Sequence, residues 1–412
     1  MTSAFMCGFP VIDGELQVGG MPLTRLVAQV GRTPFYVYDR QRIAARIAEL
    51  RAVLPAAIGL HYAVKANPFP PLLRFMADKV DGFDIASAGE LALALDAGMD
   101  AARISFAGPG KQREELEQAV AAGVLLNAES PRELETLADI ARRTGRRARA
   151  ALRINPAFEL KGAGMRMGGG SRPFGIDEEA VPALLADWSR LGDALAFEGF
   201  HIYAGSQNLD GTAIAATQRA SYDLALRLAV SAPAPVQSLN LGGGFGIPYF
   251  PHEKPLDLAP VMATLRDIAA AAAKDLPRAR LCLELGRYLV GEAGLYVTRV
   301  IDKKISRGQT YLVVDGGLHH HLAATGNLGQ VIRRNFPVAI GTKVSARGTA
   351  PDTVSTTVVG PLCTPLDMLA DRVDLPAADI GDLVVIFQSG AYGASASPQG
   401  FLSHPPVMEV LP

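Results

Sequence analysis

Residues 58–65 read Ile-Gly-Leu-His-Tyr-Ala-Val-Lys, which is a short, mostly apolar run. The residues after it have the apolar spacing of a helix. The same alternation continues to about residue 284, which is typical of repeated βα units around a parallel sheet. We therefore predict the α/β class and a (β/α)8 barrel of the TIM type. The candidate strands, which include one or two more than such a barrel needs, are FYVYD (35–39), IGLHYAVK (58–65), DGFDIA (81–86), RISFAG (103–108), GVLLNA (123–128), RAALRI (149–154), FEGFHIYAG (197–205), SLNLGG (238–243) and LCLEL (281–285).

The pattern changes after about Gly294, where strand-like segments follow one another without long helical stretches between them. Gly, Pro and Asp separate these segments, which predicts a C-terminal all-β domain. The stretch VIDGELQVGG (11–20) has the same character, so we expect the N-terminal segment to join that domain. The predicted organisation is an N-terminal segment at 1–33, a barrel at 34–279 and the C-terminal β domain at 280–412.

Composition and charge exclude several classes of protein. The chain has 412 residues, 49% of them hydrophobic, which is enough for a large core in two structural units. Lys and Arg number 40 against 41 Asp and Glu, so a nucleic-acid partner is not expected. The sequence contains neither a signal-peptide pattern nor a long apolar run, so we do not expect a membrane partner. The three cysteines, Cys7, Cys282 and Cys363, cannot form a disulfide framework, and we expect a cytoplasmic protein.

Lys65 ends an otherwise apolar strand, and later segments supply the other groups that a pyridoxal phosphate site needs. The turn LGGGFG (241–246) follows a predicted strand, so its backbone N–H groups can approach a phosphate. Glu284 and Arg287 follow another apolar strand, where a carboxylate can face the pyridine nitrogen and a guanidinium can contact the phosphate. Taken singly, each segment also has an ordinary structural explanation: an exposed strand-end lysine, a tight turn and an intrachain ion pair.

Eight segments occur together in a family-like order and spacing. They are AVKANP (63–68), DIASAGE (84–90), GSQ (205–207), LGGGFGIPY (241–249), ELGRYLVGEAG (284–294), VVDGG (313–317), GPLCTPLD (360–367) and GAYGASAS (390–397). Their conjunction resembles the ornithine, diaminopimelate and arginine decarboxylase family, which has the alanine-racemase-like fold. The resemblance spans nearly the whole chain. It implies a pyridoxal-phosphate-dependent decarboxylase, a carboxy-lyase, acting on an amino-acid-type substrate as a homodimer with shared active sites.

The resemblance also implies roles for individual residues. Lys65 would hold the cofactor as a Schiff base, and Glu284 would pair with the pyridine nitrogen. Cys363 would reach into the site of the partner subunit and protonate the decarboxylated carbon. The residues that it implies around the phosphate are Ser206, Gly243, Gly244, Arg287 and Tyr392. Those that it implies elsewhere around the cofactor and the lysine are Asp84, Glu90, Arg153 and Gly286.

Two departures from the family pattern concern the substrate. Thr364 follows Cys363 where relatives that act on basic amino acids carry an acid for the distal ammonium, which argues against ornithine, lysine and diaminopimelate. The stretch GLHHHLAA (317–324) has no arginine for the distal carboxylate of diaminopimelate. On a strand only His319 and His321 would share a face, so we expect them to have a substrate or interface role and not to form a metal site.

A third departure concerns the cofactor ring. Tyr203 stands where the family has a ring-stacking histidine, with His201 two positions earlier, and the phenol can still cover the cofactor face. The Tyr203 and GPLCTPLD forms resemble a branch associated with carrier-protein or exosortase-type systems, including decarboxylases of glutamate tethered to an acyl-carrier protein. The substrate prediction is therefore an amino acid or a carrier-linked conjugate. Diaminopimelate decarboxylation and a non-catalytic cofactor-binding regulator are the alternatives, and alanine racemase is disfavoured because that family sets an arginine opposite the pyridine nitrogen.

Overall fold

The computed structural model describes residues 8–250, 252–328, 330, 332–344 and 353–412. The chain forms two compact units. The barrel unit comprises Ile47–Ile247 and Pro255–Gly286, and the β unit comprises Met1–Arg46, Pro248–Lys254 and Arg287–Pro412. Cys7 lies outside the described residues. So do the ends of two strand-like segments of the predicted β domain, PVAIGTKVSA (337–346) at 345–346 and DTVSTTVVG (352–360) at 352.

Eight parallel strands close into a barrel in the barrel unit. Leu281 of the last strand pairs with Ile58 of the first, and Ala148–Asn155 completes the ring by pairing on both sides. The predicted barrel is thereby confirmed. Its strands are Ile58–Ala63, Gly82–Ile85, Ile104–Phe106, Leu125–Ala128, Ala148–Asn155, Leu195–Ile202, Ser238–Gly243 and Arg280–Leu285, and the short strands Met165–Arg166, Ile176–Asp177 and Gly205–Ser206 lie in its connections.

Amphipathic helices connect the barrel strands. Pro131–Thr144 is representative: Ser130 accepts a hydrogen bond from the N–H of Glu133 at its start, Gly145 ends it in the left-handed conformation, and it buries Leu134 and Leu137 on one face. The other helices of this unit are Pro70–Ala77, Ala88–Asp96, Arg113–Ala122, Val181–Ala186, Gly211–Ala229 and Ala259–Asp275, while Arg40–Val53 runs through both units.

Several barrel strands carry buried polar side chains at or near their C-terminal ends. Asp84, Asn127, Arg153, His201 and Glu284 are all buried in this way. Burial of polar and charged groups is costly unless they are paired, so such a concentration marks the place where a barrel positions its chemistry.

The β unit is built around the long strand Gly294–Ser306, which pairs with strands from both ends of the chain. A small sheet from the N-terminal segment packs on the same core, where Leu16 and Val18 join Val297. The expected joining of the N-terminal segment to the β domain is thus confirmed over the described residues. The remaining strands of this unit are Val11–Ile12, Glu15–Val18, Met21–Pro22, Phe35–Tyr38, Gln309–Val314, Val338–Ile340, Thr353–Val359, Met368–Pro376, Leu383–Ile386 and Met408–Val410, and its helices are Leu23–Val30 and Arg287–Val290.

Phe35–Tyr38 is the one candidate strand that does not enter the barrel. It pairs antiparallel with Gly294–Ser306 and parallel with Met408–Val410, and all four of its residues are buried. The strand Arg280–Leu285, in contrast, pairs within the barrel. The chain therefore passes from one unit to the other after residues 46 and 286, and also at both ends of Pro248–Lys254. The sequence predicted boundaries at 33/34 and 279/280. None of the helices in the described ranges is long and apolar enough to span a bilayer.

Candidate active site

Lys65 and Glu284 come from the first and last strands of the barrel and meet at their C-terminal ends. Lys65 lies in a short turn directly after Ile58–Ala63, and its Nζ donates a hydrogen bond of 2.8 Å to Oε1 of Glu284. The Glu284 side chain is 3% exposed, whereas that of Lys65 is 43% exposed. A buried carboxylate therefore holds an amine that remains accessible from outside the barrel.

His201 contacts the second oxygen of the same carboxylate. Its Nε2 lies 3.2 Å from Oε2 of Glu284, and both side chains are buried. Burial by itself raises the pKa of Glu284, but the Lys65 ammonium and His201 outweigh it and hold that pKa well below the ordinary value. The Tyr203 ring centroid lies 5.5 Å from Lys65 Nζ. The carboxylate stays ionised.

Asp84 lies on Gly82–Ile85, the barrel strand that pairs with Ile58–Ala63, and it faces His61 on that neighbouring strand. The His61 Nδ1 is 3.3 Å from Asp84 Oδ2. Burial favours neutral His61, yet the Asp84 carboxylate outweighs it, and the pKa of His61 is raised. Glu90 lies nearby at the start of Ala88–Asp96, where it accepts a hydrogen bond of 2.7 Å from the N–H of Ala86, and burial raises its pKa.

Arg153 is held by Glu129. The Arg153 Nη1 donates a hydrogen bond of 2.7 Å to Glu129 Oε1, and both side chains are buried. Glu129 also accepts from the N–H groups of Gly108 and Gly175. Burial raises its pKa, but Arg153 and Lys111 outweigh burial, and the pKa of Glu129 is lowered. The carboxylate fastens two connecting loops to the barrel strand that carries Arg153.

The glycine turn after Ser238–Gly243 lies against the segment that carries Ser206. The N–H of Asn208 donates 2.9 Å to Gly244 O, and a Cβ on Gly244 would meet Gly205 O at 2.9 Å. A Cβ on Gly243 would meet Glu284 O at 2.1 Å. Gly244 has a φ of +81°, which favours glycine. The structure therefore brings Ser206, Gly243 and Gly244 close together, and the two glycines leave the backbone there without side chains.

Gly286 makes a similar close approach beside the lysine. A Cβ at this position would lie 2.8 Å from the Cβ of Ala66, the residue after Lys65. Glycine is thus required for the chain to pass directly from Glu284 along the turn that carries Lys65.

Arg287 and Tyr392 contact each other in the β unit. The Arg287 guanidinium lies 4.6 Å from the Tyr392 ring centroid, and its Nη1 donates a hydrogen bond of 2.6 Å to the hydroxyl of Tyr249. Tyr392 has a φ of +55°, a strained backbone conformation for a side chain of this size. The two phosphate candidates of this unit are therefore held in one cluster with a second tyrosine.

Cys363 and Thr364 lie in the loop between Thr353–Val359 and Met368–Pro376. Cys363 is an exposed free cysteine, whereas Cys282 is buried in the last barrel strand, where burial raises its pKa. The Thr364 hydroxyl accepts a hydrogen bond of 3.3 Å from the N–H of Leu366, so it shapes the loop.

His319 and His321 do not share a face. Residues 317–321 form a turn, closed by hydrogen bonds of 2.9 Å from the N–H groups of His320 and His321 to Gly317 O, so the expectation of strand geometry is wrong. The ring centroids of His319 and His320 lie 3.7 Å apart, with the rings tilted by 42°. Burial lowers the pKa of His319 to about 4. His321 points elsewhere: its Nε2 is 2.9 Å from the Ser389 hydroxyl, and burial lowers its pKa to about 3.

Comparison with known proteins decides the family. Residues 40–291 match the family described as the pyridoxal-dependent decarboxylases, over its pyridoxal-binding domain. The chain belongs to this family. The decarboxylase is 40% identical over 381 residues to the L-glutamyl-[BtrI acyl-carrier protein] decarboxylase of Niallia circulans, covering 92% of this chain and 88% of that relative.

Diaminopimelate decarboxylases are further relatives. That of Aquifex aeolicus is 32% identical, covering 97% of this chain and 91% of its own length. The crystal structure of the Helicobacter pylori enzyme complexed with L-lysine matches with a TM-score of 0.82 at 28% identity over 94% of each chain. This chain is therefore a pyridoxal-phosphate-dependent amino-acid decarboxylase, a carboxy-lyase, and the predicted family, enzyme class and cofactor are confirmed.

The residues of the barrel unit fit pyridoxal phosphate. The cofactor requires an amine for its aldehyde and an acid for its pyridine nitrogen, and Lys65 and Glu284 offer both at one strand edge. Its phosphate requires backbone donors that can approach closely, and Gly243 and Gly244 carry no side chain at the turn that ends the strand Ser238–Gly243.

Sequence reasoning left two functional neighbours unassigned. His201 was passed over in favour of Tyr203, although its strand register opposite Arg153 places it within the barrel. Glu129 directly follows the predicted strand GVLLNA, and an acid in that position was the available signal. His201 contacts Glu284, and Glu129 contacts Arg153. The sequence had singled out Glu284 and Arg153.

Proposed function

We propose that this decarboxylase removes the α-carboxylate of a glutamyl group tethered to an acyl-carrier protein. The observation that carries the proposal is the 40% identity to a relative named for that reaction, against 32% for the Aquifex aeolicus diaminopimelate decarboxylase. Thr364 supports it, because a substrate whose side-chain carboxyl is linked to a carrier has no distal charge to neutralise. The histidine turn at 317–321 lacks an arginine for a distal carboxylate, and we assign His319 to the substrate region.

Within the barrel unit, Lys65 would hold the cofactor through its aldehyde, and Glu284 would keep a proton at the pyridine nitrogen. A buried carboxylate at this place, in contact with His201, would favour the protonated form of the pyridine nitrogen beside it. When bound, pyridoxal phosphate supplies the sink for the electron pair that remains when carbon dioxide leaves. His201 fixes the orientation of Glu284 by contact with its second oxygen.

The remaining barrel residues orient and support these two. The Tyr203 ring, next to the Lys65 amine, covers one face of the cofactor. Asp84 with His61, Glu90, and Arg153 with Glu129 hold the strand ends around the lysine.

The phosphate is assigned to backbone and side-chain donors. Ser206, Gly243 and Gly244 lie together in the barrel unit, and Gly286 keeps the backbone next to Lys65 clear of a side chain. We assign Arg287 and Tyr392 to the same phosphate, since a guanidinium held by aromatic neighbours keeps a fixed direction for its N–H groups.

Cys363 delivers the proton that replaces the carboxylate at the substrate α-carbon. Its exposure and its place in a loop support action in the site of a second copy, as the resemblance implies, so we propose a homodimer with shared active sites.

Carbon dioxide release from a panel of substrates tests this function. We expect turnover of a glutamyl acyl-carrier thioester and little turnover of free glutamate, ornithine or meso-diaminopimelate. Diaminopimelate decarboxylation is the second candidate, because several relatives of about 30% identity carry that name. A higher kcat/KM with meso-diaminopimelate than with the carrier thioester would replace our proposal by this one.

A further inference from the structure

Asp367 ties together two loops of the β unit through one buried carboxylate. Its Oδ1 accepts a hydrogen bond of 2.5 Å from the N–H of Leu318, and its Oδ2 accepts one of 2.8 Å from the N–H of Leu362. The residue is 2% exposed. Two backbone donors on one desolvated carboxylate make a strong and directional contact.

Glycines on both loops leave room for this carboxylate. A Cβ on Gly317 would lie 2.1 Å from Asp367 Oδ1, and a Cβ on Gly360 would lie 2.3 Å from Oδ2. The N–H of Gly360 also donates 3.0 Å to the Asp367 carbonyl, which closes the base of the 360–367 loop. The chain is therefore built around the carboxylate at both points of contact.

The two residues that bind Asp367 each precede a candidate active-site residue. Leu362 precedes Cys363, and Leu318 precedes His319. The far side of the Cys363 loop is exposed at Pro365 and Leu366. The hydrogen bonds of Leu362 and Gly360 to Asp367 hold the loop at its base. One carboxylate thus fixes where the Cys363 thiol stands relative to the histidine turn.

We propose that Asp367 is a positioning residue for Cys363, and that it sets the direction from which the thiol presents its proton. This inference rests on the proposed role of Cys363. A proton that reaches the substrate α-carbon gives the amine. A proton that reaches the aldehyde-derived carbon of the cofactor would give, after the same release of carbon dioxide and hydrolysis by one water molecule, an aldehyde and pyridoxamine phosphate. The ratio of these products reports on the placement of Cys363 and not on stability.

The experiment uses the intact holoenzyme with Asp367→Asn, Gly360→Ala and Cys363→Ala. The control is Asp374→Asn, on the strand Met368–Pro376 that directly follows Asp367. Asparagine keeps the shape of Asp367 but loses one acceptor, whereas Gly360→Ala keeps the acid and displaces it. We expect both to raise the ratio of pyridoxamine phosphate to amine by about tenfold, toward that of Cys363→Ala, because misplacement of a reacting group by about 1 Å is enough for such losses. Asp374 is exposed, and its variant should match the wild type.

A second readout is independent of turnover. The alkylation rate of Cys363 by iodoacetamide, followed by mass spectrometry of its peptide, should change in Asp367→Asn and Gly360→Ala but not in Asp374→Asn. Wild-type product ratios and alkylation rates in both variants would overturn the inference, and if Asp367→Asn does not fold, Gly360→Ala decides. An unchanged product ratio in Cys363→Ala would instead remove the proposed role of the cysteine, so the two failures are distinguishable.

Discussion

His201 Nε2 lies 3.2 Å from Oε2 of Glu284, while the other oxygen of that carboxylate receives the hydrogen bond of Lys65. The acid that we assign to the pyridine nitrogen is therefore held from two sides before any cofactor is considered. Each contact also lowers the pKa of Glu284 against the opposing effect of burial. The role of His201 can therefore be tested by mutation in the same way as the roles of Lys65 and Glu284, which the sequence singled out.

Replacing His201 should move the acid side of the pH profile. Without the imidazole, one cause of the low Glu284 pKa is lost, so this pKa rises and the carboxylate becomes protonated at a higher pH in His201→Gln. We expect the acid limb of kcat/KM to shift to higher pH. We also expect kcat at neutral pH to fall by about tenfold, since Glu284 loses the contact that fixes its orientation. A pH–rate profile identical to that of the wild type would contradict the role given to His201.

The Arg153–Glu129 ion pair should contribute to the stability of the barrel unit. In Glu129→Gln the buried guanidinium loses its partner, and we expect a loss of about 3 to 5 kcal/mol in the free energy of unfolding. The exposed pair of Arg190 and Glu135 provides the control, where Glu135→Gln should cost less than about 1 kcal/mol. Trp188 is the only tryptophan and is buried in this unit, so its fluorescence during urea unfolding reports both values. Equal effects of the two variants would contradict the assignment.

The His61–Asp84 pair predicts a pH-dependent stability of the same unit. The pKa of His61 is raised in the folded protein, so its contribution is fully present below the ordinary histidine pKa and is lost as pH rises through the raised value. Asp84→Asn removes the carboxylate that causes the shift. We expect the variant to lose this pH dependence in unfolding curves measured by Trp188 fluorescence. Retention of the wild-type dependence would assign it to another group.

Shared active sites predict complementation between inactive variants. A dimer of one Lys65→Ala chain and one Cys363→Ala chain would have one site with both residues intact. Random mixing of the two variants should therefore restore about a quarter of the wild-type rate of amine formation, since half the dimers are mixed and each has one intact site. Native mass spectrometry confirms that mixed dimers have formed. Mixed dimers that remain without amine formation would exclude action of Cys363 in the partner's site.

The sequence predicted the barrel because its strands and helices alternate with clear periods, and it predicted Lys65 and Glu284 because both end apolar strands. The strand Phe35–Tyr38 has the same apolar character as a barrel strand, and only long-range pairing with Gly294–Ser306 assigns it to the β unit. Local pattern does not contain that pairing, which is why the predicted domain boundaries differ from the observed ones.

The site details that the sequence missed depend on register and on turn geometry. The family pattern pointed to Tyr203 as the residue over the cofactor ring and gave no role to His201, which lies in Leu195–Ile202 and contacts Glu284. The run of three histidines was read as a strand, but its N–H groups close a turn on Gly317 and separate His319 from His321. The sequence shows Asp367 only as the last residue of GPLCTPLD, because its two backbone partners, Leu318 and Leu362, lie far apart in the sequence.

The absorption spectrum of the purified protein with pyridoxal phosphate tests the central claim most directly. If Lys65 holds the cofactor beside Glu284, the wild type shows the visible band of the lysine-bound cofactor, and Lys65→Ala loses both that band and the release of carbon dioxide. A matched variant, Lys79→Ala on the surface of the barrel unit, should retain both. A Lys65→Ala protein that keeps the band and the activity, or a wild type that cannot take up the cofactor, would contradict the account.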